Sequence, residues 1–226
     1  MPRPPRVQFP GAIYHVTSRG VRKTDIFNDA RDRLRFQQIL REVVQRLDWR
    51  CHSYCLMSNH FHLLVETPQP NISRGMQRLN GVYAQWFNWR HGFEGHVFER
   101  RFRTVLVEGQ AHLLELTRYI VLNPIRAGLC RHPSEWRWSS YGETIGLRDR
   151  PEFLQTAWLL SLFSPVPKRA RELYADFVAA AGPASFGRVL GSDPRSRPDQ
   201  PYPYTPGNRS ASRLTSSAAG RPTTFR

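Results

Sequence analysis

Leu56-Met57-Ser58-Asn59-His60-Phe61-His62-Leu63-Leu64-Val65-Glu66 reads as a half-buried β-strand, because apolar Phe61, Leu63 and Val65 alternate with His60, His62, Leu64 and Glu66. Residues two apart on a strand share a side. Phe61, Leu63 and Val65 are therefore expected to face a core, with both imidazoles projecting together from the opposite face. Two neutral imidazoles side by side suit a divalent metal. Taken alone, the tripeptide reads more readily as two surface histidines on an exposed strand face.

Working outward, residues 49–57 form a preceding strand, joined to the histidine strand in a hairpin through Ser58-Asn59. Further upstream, Phe36, Ile39, Leu40, Val43, Val44 and Leu47 follow a helical stripe that predicts a helix over 30–47, with Asp29 and Asp32 at its start. Ala12–Ser18 is a run of β-formers ending at Arg19-Gly20. Downstream, Pro68 and Pro70 break the pattern before a helix over 72–89, and Thr104–Glu108 forms a last strand. A third helix starts near Ala111 and should stop at Asn123, because Pro124 disfavours helical geometry in the residue before it. The order β-α-β-β-α-β predicts an α+β, ferredoxin-like (RRM-like) fold, one antiparallel sheet with two helices on one face. The other face is then left free for a ligand, and it carries His60 and His62.

The domain plan follows from composition. Residues 1–10 are rich in Pro and Arg and read as an extended arm, 11–148 hold the domain, and 149–191 are a helical extension. Residues 192–226 are poor in large apolar side chains and read as a disordered basic tail. Across 226 residues, 33 Lys+Arg against 18 Asp+Glu give a net charge of +15. The tail holds six Arg and two Asp, so +4 lies there and +11 (15 minus 4) remains upstream. Such an excess fits a polyanionic partner, nucleic acid above all, although an Arg-biased genome produces the same skew. Arginine in particular makes bidentate phosphate contacts. Three cysteines with no paired spacing argue for a reducing compartment. No secretory signal follows Met1 and nothing approaches a membrane span, so a cytoplasmic, nucleoid-associated protein is expected.

On the third helix, Leu113, Leu116, Thr117 and Ile120 make the inward stripe, while Glu115, Tyr119 and Asn123 fall at i, i+4 and i+8 on a neighbouring face. Tyr119 and Asn123 should then reach towards one point, although a lone tyrosine there is more often a core aromatic. Tyr83 lies on the buried stripe of the second helix. Tyr14 and Tyr54 are strand aromatics, and Tyr141 belongs to an aromatic cluster beyond the third helix. His15, His96 and His112 could touch a ligand-bearing histidine or DNA, but a satisfied or solvated histidine is the simpler reading of each. Arg100-Arg101-Phe102-Arg103 combines charge with an aromatic, as a phosphate track or stacking site would. A solvated, arginine-guarded sheet edge accounts for it equally well. Arg19, Arg22 and Lys23, after the first strand, are weaker DNA-binding candidates. Asn59 could orient a neighbouring histidine or simply suit the turn.

Four motifs in order carry a family likeness: Tyr54-Cys55-Leu56-Met57-Ser58-Asn59-His60-Phe61-His62-Leu63-Leu64-Val65, Gly95-His96-Val97-Phe98-Glu99-Arg100-Arg101-Phe102-Arg103, Arg118-Tyr119-Ile120-Val121-Leu122-Asn123-Pro124-Ile125-Arg126-Ala127-Gly128-Leu129, and Trp138-Ser139-Ser140-Tyr141. With the strand and helix before them they resemble the HUH-type single-tyrosine transposases, most of all the REP-associated tyrosine transposases, and the resemblance covers about residues 9–146. The resemblance implies a metal-dependent endonuclease and strand transferase acting on single-stranded DNA with a hairpin. It implies His60 and His62 as metal ligands, Asn123 as the third ligand, Mg²⁺ or Mn²⁺ as the ion, and Tyr119 as the nucleophile that keeps a 5′ phosphate. Ser58 departs from the proline expected before Asn-His, which should alter the turn and not the chemistry. Two alternatives stay open: a non-catalytic, hairpin-specific binding or regulatory protein derived from a transposase, and a metal-dependent RNA nuclease that leaves Tyr119 and Asn123 unexplained. Spacing does not decide between a monomer and a homodimer that exchanges the tyrosine helix.

Overall fold

The computed structural model of the chain describes residues 7–180. The expected tail over 192–226 lies outside the described residues, as do most of the N-terminal arm and the last part of the helical extension.

Four strands, β1 (Ala12–Arg19), β2 (Arg50–Leu56), β3 (His60–Thr67) and β4 (Arg103–Leu106), form one sheet in the order β2-β3-β1-β4, antiparallel throughout. Helices α1 (Ala30–Leu47) and α2 (Ile72–His91) complete the βαββαβ frame. This is the expected ferredoxin-like α+β arrangement. The β2–β3 hairpin closes through the two-residue loop Ser58-Asn59, with the Met57 N–H donating to the His60 carbonyl at 2.9 Å. The Asp29 carboxylate caps α1 by accepting from the Asp32 N–H, which satisfies a donor the helix cannot.

Strand alternation sorts the sheet into two faces. Tyr14, Val16, Tyr54, Phe61, Leu63 and Val65 join Phe36, Ile39, Leu40 and Val43 of α1 and Ile72, Met76, Leu79 and Tyr83 of α2 in one apolar core. Gly75 sits where α2 crosses Trp49: a Cβ there would meet the indole at 2.0 Å, so only glycine allows that approach.

The opposite face is not open, contrary to the sequence expectation. Helix α3 (Gly109–Arg126) lies across it, and Leu113, Leu116, Tyr119 and Ile120 pack on Cys55, Met57 and Leu64. Leu64, read with the polar set, is fully buried under α3. The stripe on α3 needed an apolar partner, and burying each such leucine is worth roughly 1.5–3 kcal/mol. The back of α3 is covered in turn by α4 (Tyr141–Thr144), α5 (Ala157–Ser161) and α6 (Pro167–Ala179), where Leu159, Leu160, Tyr174 and Val178 meet Val121 and Leu122.

The predicted end of α3 is also corrected. The helix runs through Pro124 to Arg126. A proline there cannot donate to the Ile120 carbonyl. The Asn123 side chain supplies substitute donors, its Nδ2 lying 2.8 Å from the Tyr119 carbonyl oxygen and 3.4 Å from that of Ile120. The local rule against Asn123 being helical is thus offset by a hydrogen bond from Asn123 itself.

Candidate active site

His60 and His62 project from β3 onto the α3 face, as the alternation predicts, with ring centroids 5.0 Å apart. Their surroundings differ. His60 sits at the strand's start, only partly buried, and its Nδ1 lies 2.6 Å from the Asn59 Oδ1. Asn59 is held in turn by its Nδ2 donating to the Lys23 carbonyl at 3.1 Å, so it orients His60 as well as suiting the turn. His62 is 5% exposed. Its Nδ1 lies 2.9 Å from Nε2 of His15, while its own Nε2 is buried with no hydrogen-bond partner.

His15 is the residue the sequence reading undervalued. It points to the same face from β1, where the register sets Thr17 opposite His62 and His15 opposite Leu64, so His15 is the diagonal neighbour of His62. Burial is the main cause that lowers its pKa to about 4, with His112 and Arg103 adding to the effect. Burial, then Arg19, lowers His60 to about 4 as well. His62 is pushed well below the ordinary histidine value by burial first and by its cationic and imidazole neighbours second. All three rings are therefore neutral near pH 7, the state in which an imidazole nitrogen can donate a lone pair.

Tyr119 comes down onto this group from α3. Its ring meets His62 edge-on at 5.6 Å and His15 at 5.9 Å between centroids. The Arg126 guanidinium, two turns further along α3, lies over the Tyr119 ring at 4.8 Å. The i, i+7 spacing of Tyr119 and Arg126 was visible in the sequence. Asn123, one turn from Tyr119 and 9% exposed, has its amide NH₂ turned to the helix carbonyls, which leaves Oδ1 as its remaining acceptor. Glu115 does not join the group and pairs with Arg118. The structure thus brings His60, His62 and Tyr119 together within one chain, adds His15 and Arg126 to them, and sets Asn123 one turn along α3 from Tyr119.

A match to the family model described as "Transposase IS200 like" covers residues 8–123. That is just over half of the chain, and it includes the histidine strand, the tyrosine and the asparagine. The chain belongs to the IS200-like transposase family. Among solved structures, it is similar to a REP-associated tyrosine transposase bound to a REP hairpin, with a TM-score of 0.55 at 14% identity, covering 69% of this chain and 92% of that one. At that identity the likeness speaks for the fold alone. A Deinococcus radiodurans R1 protein named as a transposase (TM-score 0.36, 17% identity, 52% and 95% coverage) and the tRNA(His) guanylyltransferase of Saccharomyces cerevisiae (0.37, 10%, 76% and 82%) are too distant to bear on the argument. No protein of curated function matches the chain significantly.

Within this IS200-like transposase, the candidate DNA contacts divide. Arg19 lies opposite His60 in the register, and Arg22 and Lys23 follow in a 3₁₀ turn with left-handed backbone angles, φ 52° and 64°. Arg100 is paired with Glu99, Arg101 is exposed, and Arg103 opens β4 opposite Thr17. Phe102 is 6% exposed and belongs to the α1/α2 core, so its ring is not available for base stacking. Its apolar surface is better satisfied under α2 than in solvent. Among the described residues, no helix is long and apolar enough to cross a membrane.

Proposed function

We propose that this transposase cleaves and rejoins single-stranded DNA next to a hairpin, with Tyr119 as the nucleophile. The observation that carries the reading is the edge-on approach of the Tyr119 ring to His62, with His60 on the same strand and Asn123 one helical turn away. A hairpin partner is suggested by the hairpin-bound transposase of the same fold. Attack of the phenol oxygen on phosphorus would leave a 5′ phosphate on Tyr119 and a 3′ hydroxyl on the departing strand, dividing one hard substitution into two. The proton leaves the phenol and the departing oxygen gains one. Arg126, over the ring, favours negative charge on the phenol oxygen as it develops.

A divalent ion is the cofactor this reading calls for. Among the described residues no three His, Cys, Asp or Glu side chains are grouped to hold one. The donors that do fit are two imidazoles and a carboxamide. His62 Nε2 is a buried nitrogen without a partner and would offer its lone pair when the ring's proton sits on Nδ1, and His60 and the Asn123 Oδ1 would complete the set. Bound there, Mg²⁺ or Mn²⁺ would polarise a phosphate oxygen and stabilise charge in the transition state. All of these groups belong to one chain, so a monomer would suffice.

Incubation of the full chain with a hairpin oligonucleotide and Mn²⁺ should give an adduct that survives denaturing electrophoresis. Tyr119→Phe should abolish it, and chelation should stop cleavage. A Tyr119→Phe protein that still forms the adduct would refute the nucleophile. The engagement of the Asn123 amide with its own helix gives weight to a second reading, a hairpin-binding protein that does not turn over. Tight hairpin binding by the native chain with no cleavage across several divalent ions would favour it.

A further inference from the structure

The shared hydrogen bond between His15 and His62 has chemical consequences for the metal reading on which this inference rests. The two rings are nearly coplanar, 11° apart, with 2.9 Å between His15 Nε2 and His62 Nδ1. Imidazole N–H bonds and lone pairs lie in the ring plane, so this is the geometry of a linear in-plane bond. One proton fills the gap, and it can belong to either ring. If it belongs to His15, then His62 carries its own proton on Nε2 and has no lone pair to offer. If it belongs to His62 Nδ1, the lone pair of Nε2 is free and His15 carries its proton on Nδ1. The two outer nitrogens, His62 Nε2 and His15 Nδ1, are buried and unpartnered, so neither arrangement is locked from outside.

We propose that His15 is a positioning residue for His62: it accepts the Nδ1–H proton, fixes the ring's tautomer and plane, and keeps the Nε2 lone pair aimed at a divalent cation. Metal-binding histidines generally donate their second N–H to a carboxylate, a carbonyl or water. Here the acceptor is another imidazole, held on the neighbouring strand by the β1–β3 register. Because Tyr119 packs edge-on against both rings, a tilt of the His62 ring would also shift the tyrosine. His15 is not itself placed as a ligand, since its Nε2 is occupied by His62 and its Nδ1 then carries the ring's one proton.

The test uses the full chain and two measurements. Long-range ¹⁵N–¹H spectra of the metal-free protein report which nitrogen of His62 is protonated, and a proton on Nδ1 is expected. Binding of Mn²⁺, followed by the electron paramagnetic resonance of the free ion, should weaken about 10–100-fold in His15→Phe, which fills the space without accepting a proton. His15→Gln can place an acceptor near the position of Nε2 and should restore most of the affinity. Thermal unfolding of each variant shows whether it is folded. A His62 proton found on Nε2 would overturn the proposal, as would His15→Phe binding Mn²⁺ like the native chain while His60→Ala does not. Equal loss in the Phe and Gln variants, both folded, would also overturn it, since the role would then not be that of an acceptor. A native chain that takes up no Mn²⁺ would overturn the metal reading itself and this proposal with it, an outcome distinct from the other three.

Discussion

The two faces of the sheet are built from the same strands to opposite ends. Towards α1 and α2 the strands present Tyr14, Val16, Phe61, Leu63 and Val65, closed into a continuous apolar core. Towards α3 the neighbouring positions present His15, His60 and His62, of which His15 and His62 each keep one buried nitrogen without a partner. A buried polar atom left unpaired costs about 1–3 kcal/mol. The apolar face supplies stability, and the α3 face spends some of it on groups poised for lone-pair chemistry. Sites of this kind are commonly less than optimally stable.

Breaking the α3 face should cost activity and little stability. Tyr119→Phe should lower cleavage by about 10³-fold or more while shifting the urea midpoint only slightly. Oligonucleotide cleavage and equilibrium unfolding on the same samples check both halves. Breaking the other face should do the reverse: Phe61→Ala should destabilise the chain by about 3–5 kcal/mol in urea unfolding.

Acid sharpens the contrast. His15 has a folded pKa lowered to about 4 from an ordinary 6.5, so between those values the unfolded chain binds more protons. Its contribution is therefore fully present above pH 6.5, is lost as pH falls towards 4, and does not fall further below that. The loss should be on the order of 3 kcal/mol at most for this ring. Metal-free unfolding between pH 7 and 4 should show it, with a shallower slope in His15→Phe. The smallest expected effect is that of Asn123→Ala, which removes the substitute donors for the Tyr119 and Ile120 carbonyls and should cost about 1 kcal/mol. Thermal unfolding, together with amide exchange at the end of α3, measures it.

The histidine strand was legible because a strand has period two: placing Phe61 in a core places His60 and His62 on the far side. Tyr119 and Asn123 were legible because a helix brings i and i+4 together. His15 was not, because its meeting with His62 is a diagonal contact across two strands whose register the linear chain does not display. The burial of the histidine face was not either. The α3 stripe announces that the helix needs an apolar partner, yet says nothing of which sheet face provides it. Pro124 misled through a sound local rule that a side-chain hydrogen bond overrides.

By itself, then, the sequence determined the order of elements, the strand carrying the imidazole pair and the helix carrying the tyrosine, all of which follow from local periodicity. Only the tertiary structure decided that α3 closes over the histidines, that Tyr119 meets them within one chain, and that His15 shares a proton with His62. Those outcomes depend on strand register and helix docking, which sum contacts between residues far apart in the chain.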